Sequence, residues 1–260
     1  MITSTANAQI KHVMKLKKSA SYRRKHQEFL VEGIRMVQEL EKEHLKRLYV
    51  TEEFFKQHGE LFAGQAYEMV SEAVFKELSD TMTPQGVLAV ANYLSYSFQQ
   101  VLEMAKESGC PPALLLLENL QDPGNLGTIL RMAEGAGITG VILSKDTVDI
   151  YNPKVVRSTM GSIFRVPFCY VENLADTVKQ LHESGIMTFA AHLQGDNFYG
   201  MDFTKGVCIF IGNEGNGLTE ELTGLANNKV KIPMKGQVES LNAATAATVF
   251  SYEILRQRSS

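Results

Sequence analysis

The sequence predicts an α/β protein made of two successive α/β domains, and three observations predict it. From residue 28 onward, short apolar runs alternate with segments of helical periodicity, the pattern of sheets covered by helices. Two of those runs, Ala113–Leu117 and Val207–Ile211, are apolar at every position, as expected of parallel strands buried on both faces. A polar, aromatic stretch at 93–97 interrupts the alternation and reads as a linker, which places the domains at residues 1–97 and 98–260. The 260 residues suffice for two cores.

In the first domain, residues 7–18 form a helix with Ile10, Val13 and Met14 on one side. Lys11, Lys15 and Lys18 fall at spacings of four and three on a neighbouring face. Strands are expected at 29–31, 47–50, 66–70 and 86–91, and helices at 34–41 and 52–57. Ser71 caps a further helix through Leu78. A helix at 98–106 is stopped by Gly109-Cys110-Pro111-Pro112. The second series then has strands at 113–117, 140–143, 164–168, 187–191, 207–211 and 229–232. Asn125 is placed to cap a helix to Ala136, and further helices lie at 153–159, 174–184 and 241–256.

Net charge is −3 and the isoelectric point about 6.1, so no global basic field points to a nucleic-acid partner. The mean conceals a split. Residues 1–27 hold seven Lys and Arg, including Arg23 and Arg24, and no Asp or Glu, which leaves the rest of the chain at −10. Such a face either grips phosphates or is a solvated helix surface near a terminus. Three cysteines without metal-ligand spacing exclude a disulfide framework and a cysteine zinc site, and fit a reducing cytoplasm. No apolar run approaches the ~20 residues of a membrane span. The first residues lack the apolar core of a signal peptide.

Three loops are candidates for chemistry. Gly135-Ala-Gly137-Ile-Thr-Gly140 matches the dinucleotide fingerprint, but a helix precedes it and a strand follows, the reverse of what that fingerprint needs. It reads as a left-handed helix end and a turn. No phosphate-binding P-loop is present. The loop from Gly212 to Leu218 directly follows the apolar strand at 207–211, at the end where open α/β sheets bind ligands, and carries a lone Glu214 among glycines. The segment from Ile232 to Ala244 also follows a strand, and Ser240 is placed to cap the last helix. Leu241, Ala244, Thr248, Tyr252 and Leu255 make a stripe along that helix, read most simply as core. Arg131 lies well round from the apolar face of Leu126, Ile129, Leu130 and Ala133, where a lone Arg would pair with Glu134. Lys154 and Arg157 form a second basic spot, or a second solvated face.

Taken together, the segments Asn125–Arg131, Gly212–Leu218 and Ile232–Asn242, in this order and spacing, resemble the SpoU (TrmH-type) branch of the SPOUT superfamily of RNA methyltransferases. The likeness covers about residues 113–257, and the stretch from Asn152 to Ser158 fits the family's segment between its first two motifs. The first 95 residues look like the L30e-like RNA-binding domain that precedes many rRNA-modifying members. The resemblance implies a Rossmann-like parallel sheet with a deep C-terminal trefoil knot, which strand patterning alone would not suggest. It implies a homodimer that binds S-adenosylmethionine and methylates a ribose 2′-oxygen, on ribosomal RNA in preference to tRNA. Leu193, Gly195, Ile211, Gly212, Ile232, Met234 and Leu241 match the family's cofactor cradle. Arg131 matches its catalytic Arg, and Asn125, Glu214, Ser240 and Asn242 match polar positions that shape the site. Lys11, Lys15, Lys18, Arg23, Arg24, Lys154 and Arg157 are the expected RNA contacts. No metal is called for, because no carboxylate-rich metal motif is present. The rivals are the same reaction on tRNA and an RNA-binding assembly factor that has lost catalysis.

Overall fold

The computed structural model describes residues 1–62 and 64–259 and divides into two compact units. The first contains Met1–Leu94 and Asp149–Phe164, and the second contains Ser95–Val148 and the chain from Arg165 onward.

The first unit opens with α1 (Ala8–Lys18) and α2 (Ala20–His26). The Asn7 side chain caps α1 by accepting from Gln9 N at 2.8 Å. Ile10, Val13 and Leu16 point inward, while Lys11, Lys15 and Lys18 are exposed. Leu16 joins the expected strip, because three-residue steps from Ile10 keep one face, and Met14 packs half-buried against the same core. The helix α2 was not expected, since its sequence ASYRRKH carries no apolar period. Ser19 starts it, accepting from Tyr22 N at 3.2 Å, and Gln27 ends it in the left-handed region at φ 54°.

Next come β1 (Glu28–Glu32), α3 (Ile34–Glu39), β2 (Leu45–Thr51), α4 (Glu52–His58), β3 (Glu68–Val70), α5 (Glu72–Leu78) and β4 (Val87–Asn92). The sheet order is β1-β4-β2-β3. β4 runs antiparallel to both its neighbours, and β2 pairs with β3 in parallel, Thr51 opposite Val70. One core joins Ile10, Val13 and Leu16 to Leu30, Tyr49, Val70, Phe75 and Leu88.

The second unit begins with α6 (Phe98–Glu107), β5 (Ala113–Leu117), α7 (Pro123–Gly135) and β6 (Gly140–Ser144). The chain then contributes α8 (Pro153–Ser158) to the first unit, where it packs on β1. Lys154 and Arg157 thus stand with the N-terminal segment, which the sequence reading did not anticipate. Back in the second unit follow β7 (Phe168–Val171), α9 (Leu174–Glu183), β8 (Met187–Asn197), β9 (Val207–Ile211), α10 (Glu220–Leu225), β10 (Asn228–Lys231) and α11 (Ala243–Arg258). Six strands form one sheet in the order β10-β8-β9-β5-β6-β7, every pair parallel. β5 is central, with Leu115 between Ile209 and Val141, and it is buried throughout.

Four local expectations are corrected. The strand expected at 164–168 is a 3₁₀ turn at Ser162–Phe164 followed by β7. Asp122 caps α7, accepting from Asn125 N at 2.8 Å, so Asn125 is free for other work. Pro123 at the first helical position favours that earlier start. Likewise Asn242 caps α11, accepting from Ala244 N at 2.9 Å and Thr245 N at 3.2 Å, whereas Ser240 lies outside the helix. Of the expected stripe on α11 only Ala244 is buried; the core face is Ala243, Ala244, Ala247, Phe250, Ser251 and Ile254, while Tyr252 is 48% exposed and Thr248 and Leu255 are half-buried. The glycines at 135–140 behave as expected: Gly137 turns with φ +70° and β6 follows. Among the described residues no helix is long and apolar enough to cross a membrane.

Candidate active site

At one edge of the parallel sheet the chain encloses a cavity of about 470 Å³. Its walls come from β8 around Leu193, the end of β9 at Ile211 and the loop that follows, Ile232 and Met234 after β10, and the start of α11. The volume lies within the range of about 300–1,000 Å³ usual for small-molecule sites. Leu193, Ile211, Gly212, Ile232, Met234, Ser240, Leu241 and Glu214 all line it, as the sequence led one to expect. Ala243, Ala246 and Phe250 add apolar surface from α11.

The loop after β9 is fixed by its own backbone. Asn213 and Gly217 exchange N–H···O bonds of 3.0 and 2.9 Å. The Asn213 carboxamide oxygen accepts from Gly215 N and Asn216 N, and its Nδ2 donates to Asn119 O at 2.8 Å. Asn213 was not singled out from sequence, although an Asn heading a glycine turn is the signal for such a bridge. Gly212 is obligatory, because a Cβ there would sit 2.1 Å from Gly217 C and 2.2 Å from Leu218 N.

Glu214 closes the loop onto the start of α7. Its carboxylate accepts from Gln121 N at 3.0 Å, Asp122 N at 2.9 Å and Asn125 Nδ2 at 2.9 Å. Asn125 Oδ1 in turn accepts from Asn242 Nδ2 at 2.9 Å. Glu214, Asn125 and Asn242, far apart in sequence, therefore form one hydrogen-bonded relay at the cavity rim. Burial raises the Glu214 carboxyl, but the bonds from Asn125, Gln121 and Asp122 outweigh it and hold the group below its ordinary value of 4.5.

Four expected site residues do not line the cavity: Asn125 and Asn242 stand at its rim in the relay, and Gly195 and Arg131 lie off its wall. Gly195 is buried under β10, where a Cβ would meet Val230 N at 2.4 Å, so its smallness serves strand packing rather than a ligand. Arg131 is exposed on α7 and has no ion pair or hydrogen bond among the described residues. The partner it would have had, Glu134, is taken by Arg165 through both Nε and Nη2, the latter at 3.0 Å.

Of the expected RNA contacts, Lys11, Lys15, Lys18, Arg24 and Lys154 are exposed. Arg23 is a correction. It is 3% exposed, with Nη2 on Asp149 Oδ2 at 2.6 Å, Nε on the same oxygen at 2.8 Å and Nη1 on Leu16 O at 2.6 Å. A buried guanidinium whose three nitrogens are all engaged inside the fold is not placed to grip phosphate. Arg157 is half-buried and spends one donor on Asp80 Oδ2 at 3.0 Å.

Comparison with known proteins shows which family the chain belongs to. The family model for the SpoU rRNA Methylase family matches residues 112–252. This chain belongs to the SpoU rRNA methylase family. An MRM3-like substrate binding domain model matches residues 7–89. Among relatives, the 23S rRNA (guanosine(2553)-2′-O)-methyltransferase RlmP of Bacillus subtilis is 32% identical over 256 residues, covering 97% of this chain and 98% of the relative. The SpoU methyltransferase AviRb from Streptomyces viridochromogenes, solved in complex with the cofactor AdoMet, has a TM-score of 0.85 at 30% identity over 97% of this chain and 99% of that one. An AdoMet-bound rRNA methyltransferase from Sinorhizobium meliloti has a TM-score of 0.84 at 28% identity over 98% of this chain and 97% of that one. These SpoU likenesses run the length of the chain and include the parallel sheet that carries the cavity.

Proposed function

We propose that this chain transfers a methyl group from S-adenosylmethionine to a ribose 2′-hydroxyl of ribosomal RNA. As a family member it is an S-adenosylmethionine-dependent RNA 2′-O-methyltransferase, and the preference for ribosomal over transfer RNA follows the end-to-end likeness to a 23S rRNA enzyme. The observation that carries the reading is the Glu214–Asn125–Asn242 relay, which draws all three sequence motifs to the rim of one cavity.

The cavity suits the cofactor. Ile211, Ile232, Met234 and Leu241 offer an apolar cleft for an adenine, Gly212 lets backbone approach closely, and Glu214 and Glu239 offset a sulfonium charge. Bound there, S-adenosylmethionine supplies an already activated methyl, so the protein's share is binding, orientation and electrostatics. Arg131 has the unspent donors to hold an RNA phosphate and to stabilise the alkoxide that develops as the ribose proton leaves to phosphate or water. A guanidinium rarely gives up its own proton, so a basic role for Arg131 is not invoked. Asn125, Asn242 and Ser240 orient ribose and cofactor. The reaction so read calls on no metal, because the methyl arrives already activated; among the described residues Glu41, Glu43 and His44 form a candidate ion-holding group in the first unit.

Arg131 stands off the cavity wall within one chain, and Tyr252, Thr248 and Leu255 leave a part-exposed stripe on α11. Both support a homodimer in which a second copy completes the site. Light scattering that gives about 29 kDa in micromolar solution would contradict it. A C-terminal trefoil knot is proposed from the likeness to the family alone. The exposed cations of α1 and α2 support an RNA-binding role for the N-terminal unit. Calorimetry with S-adenosylhomocysteine, with and without chelator, tests the cofactor step. Binding that survives chelation is expected, and no binding at millimolar ligand would end the enzyme reading.

A further inference from the structure

Outside the cavity, α1 and α2 carry a second organised cluster of side chains. His12 is held by both ring nitrogens, Nε2 on Glu28 Oε2 at 2.5 Å and Nδ1 on the Tyr22 hydroxyl at 2.9 Å. Glu28, its side chain 3% exposed, also accepts from Lys46 and so anchors the group to β1 and β2. His26, exposed at the end of α2, lies over Tyr22 with ring centroids 4.2 Å apart and planes inclined by 36°. It also meets His12 edge-on at 5.1 Å. Lys15 Nζ sits 5.5 Å from the centre of the Tyr22 ring. Around these rings Lys11, Lys15, Lys18, Arg24 and Lys25 are exposed, and among the described residues none of the five makes an ion pair.

A hairpin selected only for stability would interleave acids with these cations, and residues 1–27 contain none. Aromatic rings set among unpaired cations are the makings of a nucleic-acid surface, since every base offers a π-face and every nucleotide a phosphate. The rings are also preorganised. The carboxylate of Glu28 fixes the tautomer and tilt of His12, which fixes the Tyr22 phenol on which His26 rests. We propose that this cluster is a binding site for a single unpaired nucleotide of RNA, its base stacked on the His26–Tyr22 pair and its phosphates held by Lys15 and the neighbouring cations. Duplex RNA does not fit the role, because a paired base keeps its faces inside the stack. The inference rests on the reading of the chain as an RNA-modifying enzyme and adds the kind of nucleotide its N-terminal arm selects.

The test is fluorescence anisotropy of the full-length protein with a short unstructured RNA and with a duplex of equal length. His26→Ala is expected to weaken single-strand binding about tenfold, the loss of one stacked base, and to leave duplex binding unchanged. His26→Phe is expected to restore it, because the ring and not the imidazole chemistry is what stacks. The salt slope separates stacking from charge: His26→Ala keeps it, whereas Lys15→Gln flattens it by about 0.7. His26 is exposed, so melting curves of its variants should overlay the wild type. Equal single-strand affinity of wild type and His26→Ala, or equal loss on both probes, would overturn the proposal. Failure of the parent reading looks different: wild type would then bind neither probe and transfer no label to ribosomal RNA, while the first outcome leaves that transfer intact.

Discussion

Arg23 and Arg24 are adjacent in sequence and have opposite fates. Arg24 faces solvent, while Arg23 is enclosed and spends its donors on Asp149 and the Leu16 carbonyl. Removing Arg23 strips a part-buried carboxylate of its cation and the Leu16 carbonyl of its guanidinium donor, so Arg23→Ala is expected to cost about 3 kcal/mol in urea unfolding. The affinity of the folded protein for RNA should change little. Glu214 belongs to the same scale. Its folded pKa lies below 4.5, so its hold on α7 is complete above that value and fades as pH falls through the lower, folded one. Affinity for S-adenosylhomocysteine should therefore be flat in this group from neutral pH down to about 5 and drop in stronger acid. Glu214→Gln should bind about tenfold more weakly at pH 7, the worth of one charge-assisted hydrogen bond, and lose the acid-side drop. The two remaining buried thiols do not enter the chemistry, since burial pushes Cys169 up to about 12 and raises Cys208 as well.

At the scale of elements, the capping residues teach the most. Asp122 and Asn125 can both cap a helix, as can Ser240 and Asn242, and composition does not choose between them. The structure uses Asp122 and Asn242, and the residue released in the first case, Asn125, becomes the middle of the relay. Asp122→Ala should accordingly cost about 1 kcal/mol of stability. Asn125→Ala should cost less in urea unfolding and more in cofactor affinity, which calorimetry on the two variants would resolve. The strands β5 and β9 were legible because five apolar residues in a row have no other use than a doubly covered parallel strand. α2 and α10 were not, because seven and six residues are too short for a period, and each is set by a capping hydroxyl, Ser19 or Thr219. The stripe on α11 was placed on the core face correctly only at Ala244. Its core is built from Ala243, Ala247 and Ser251 around Phe250, and small residues carry almost no hydrophobic signal. Gly195 and Gly212 illustrate the same limit, since sequence does not show that Gly195 packs against β10 or that Gly212 also lets its own loop close.

At the scale of the whole molecule, the segment Asp149–Phe164 belongs with the N-terminal residues, so cutting the chain at residue 97 would leave α8 without the strand it packs on. Surface substitution is the cleaner probe of the basic arm. Reversing Lys11, Lys15, Lys18 and Arg24 together, with Arg23 untouched, should weaken binding to ribosomal RNA and flatten the dependence of log affinity on log salt, since fewer counterions are released. Stability should hold, as all four are exposed. An unchanged slope would move the phosphate contacts elsewhere. The α/β class, the parallel sheet and the loops that line the cavity were legible in sequence because apolar runs and three motifs survive without three dimensions. The segment exchanged between units was not, because nothing in its composition marks which core it joins.

The central claim is that the cavity and the exposed Arg131 together methylate ribosomal RNA, and the direct measurement is single-turnover transfer of labelled methyl from S-adenosylmethionine to protein-free ribosomal RNA, by wild type and by Arg131→Ala. The account predicts label in a ribose 2′-O-methyl group with the wild type. It predicts loss of most of the rate in Arg131→Ala, with affinity for S-adenosylhomocysteine kept within a few-fold, because an interaction made mainly in the transition state appears in turnover. No transfer by the wild type to any RNA, or a near-normal rate in Arg131→Ala, would contradict it.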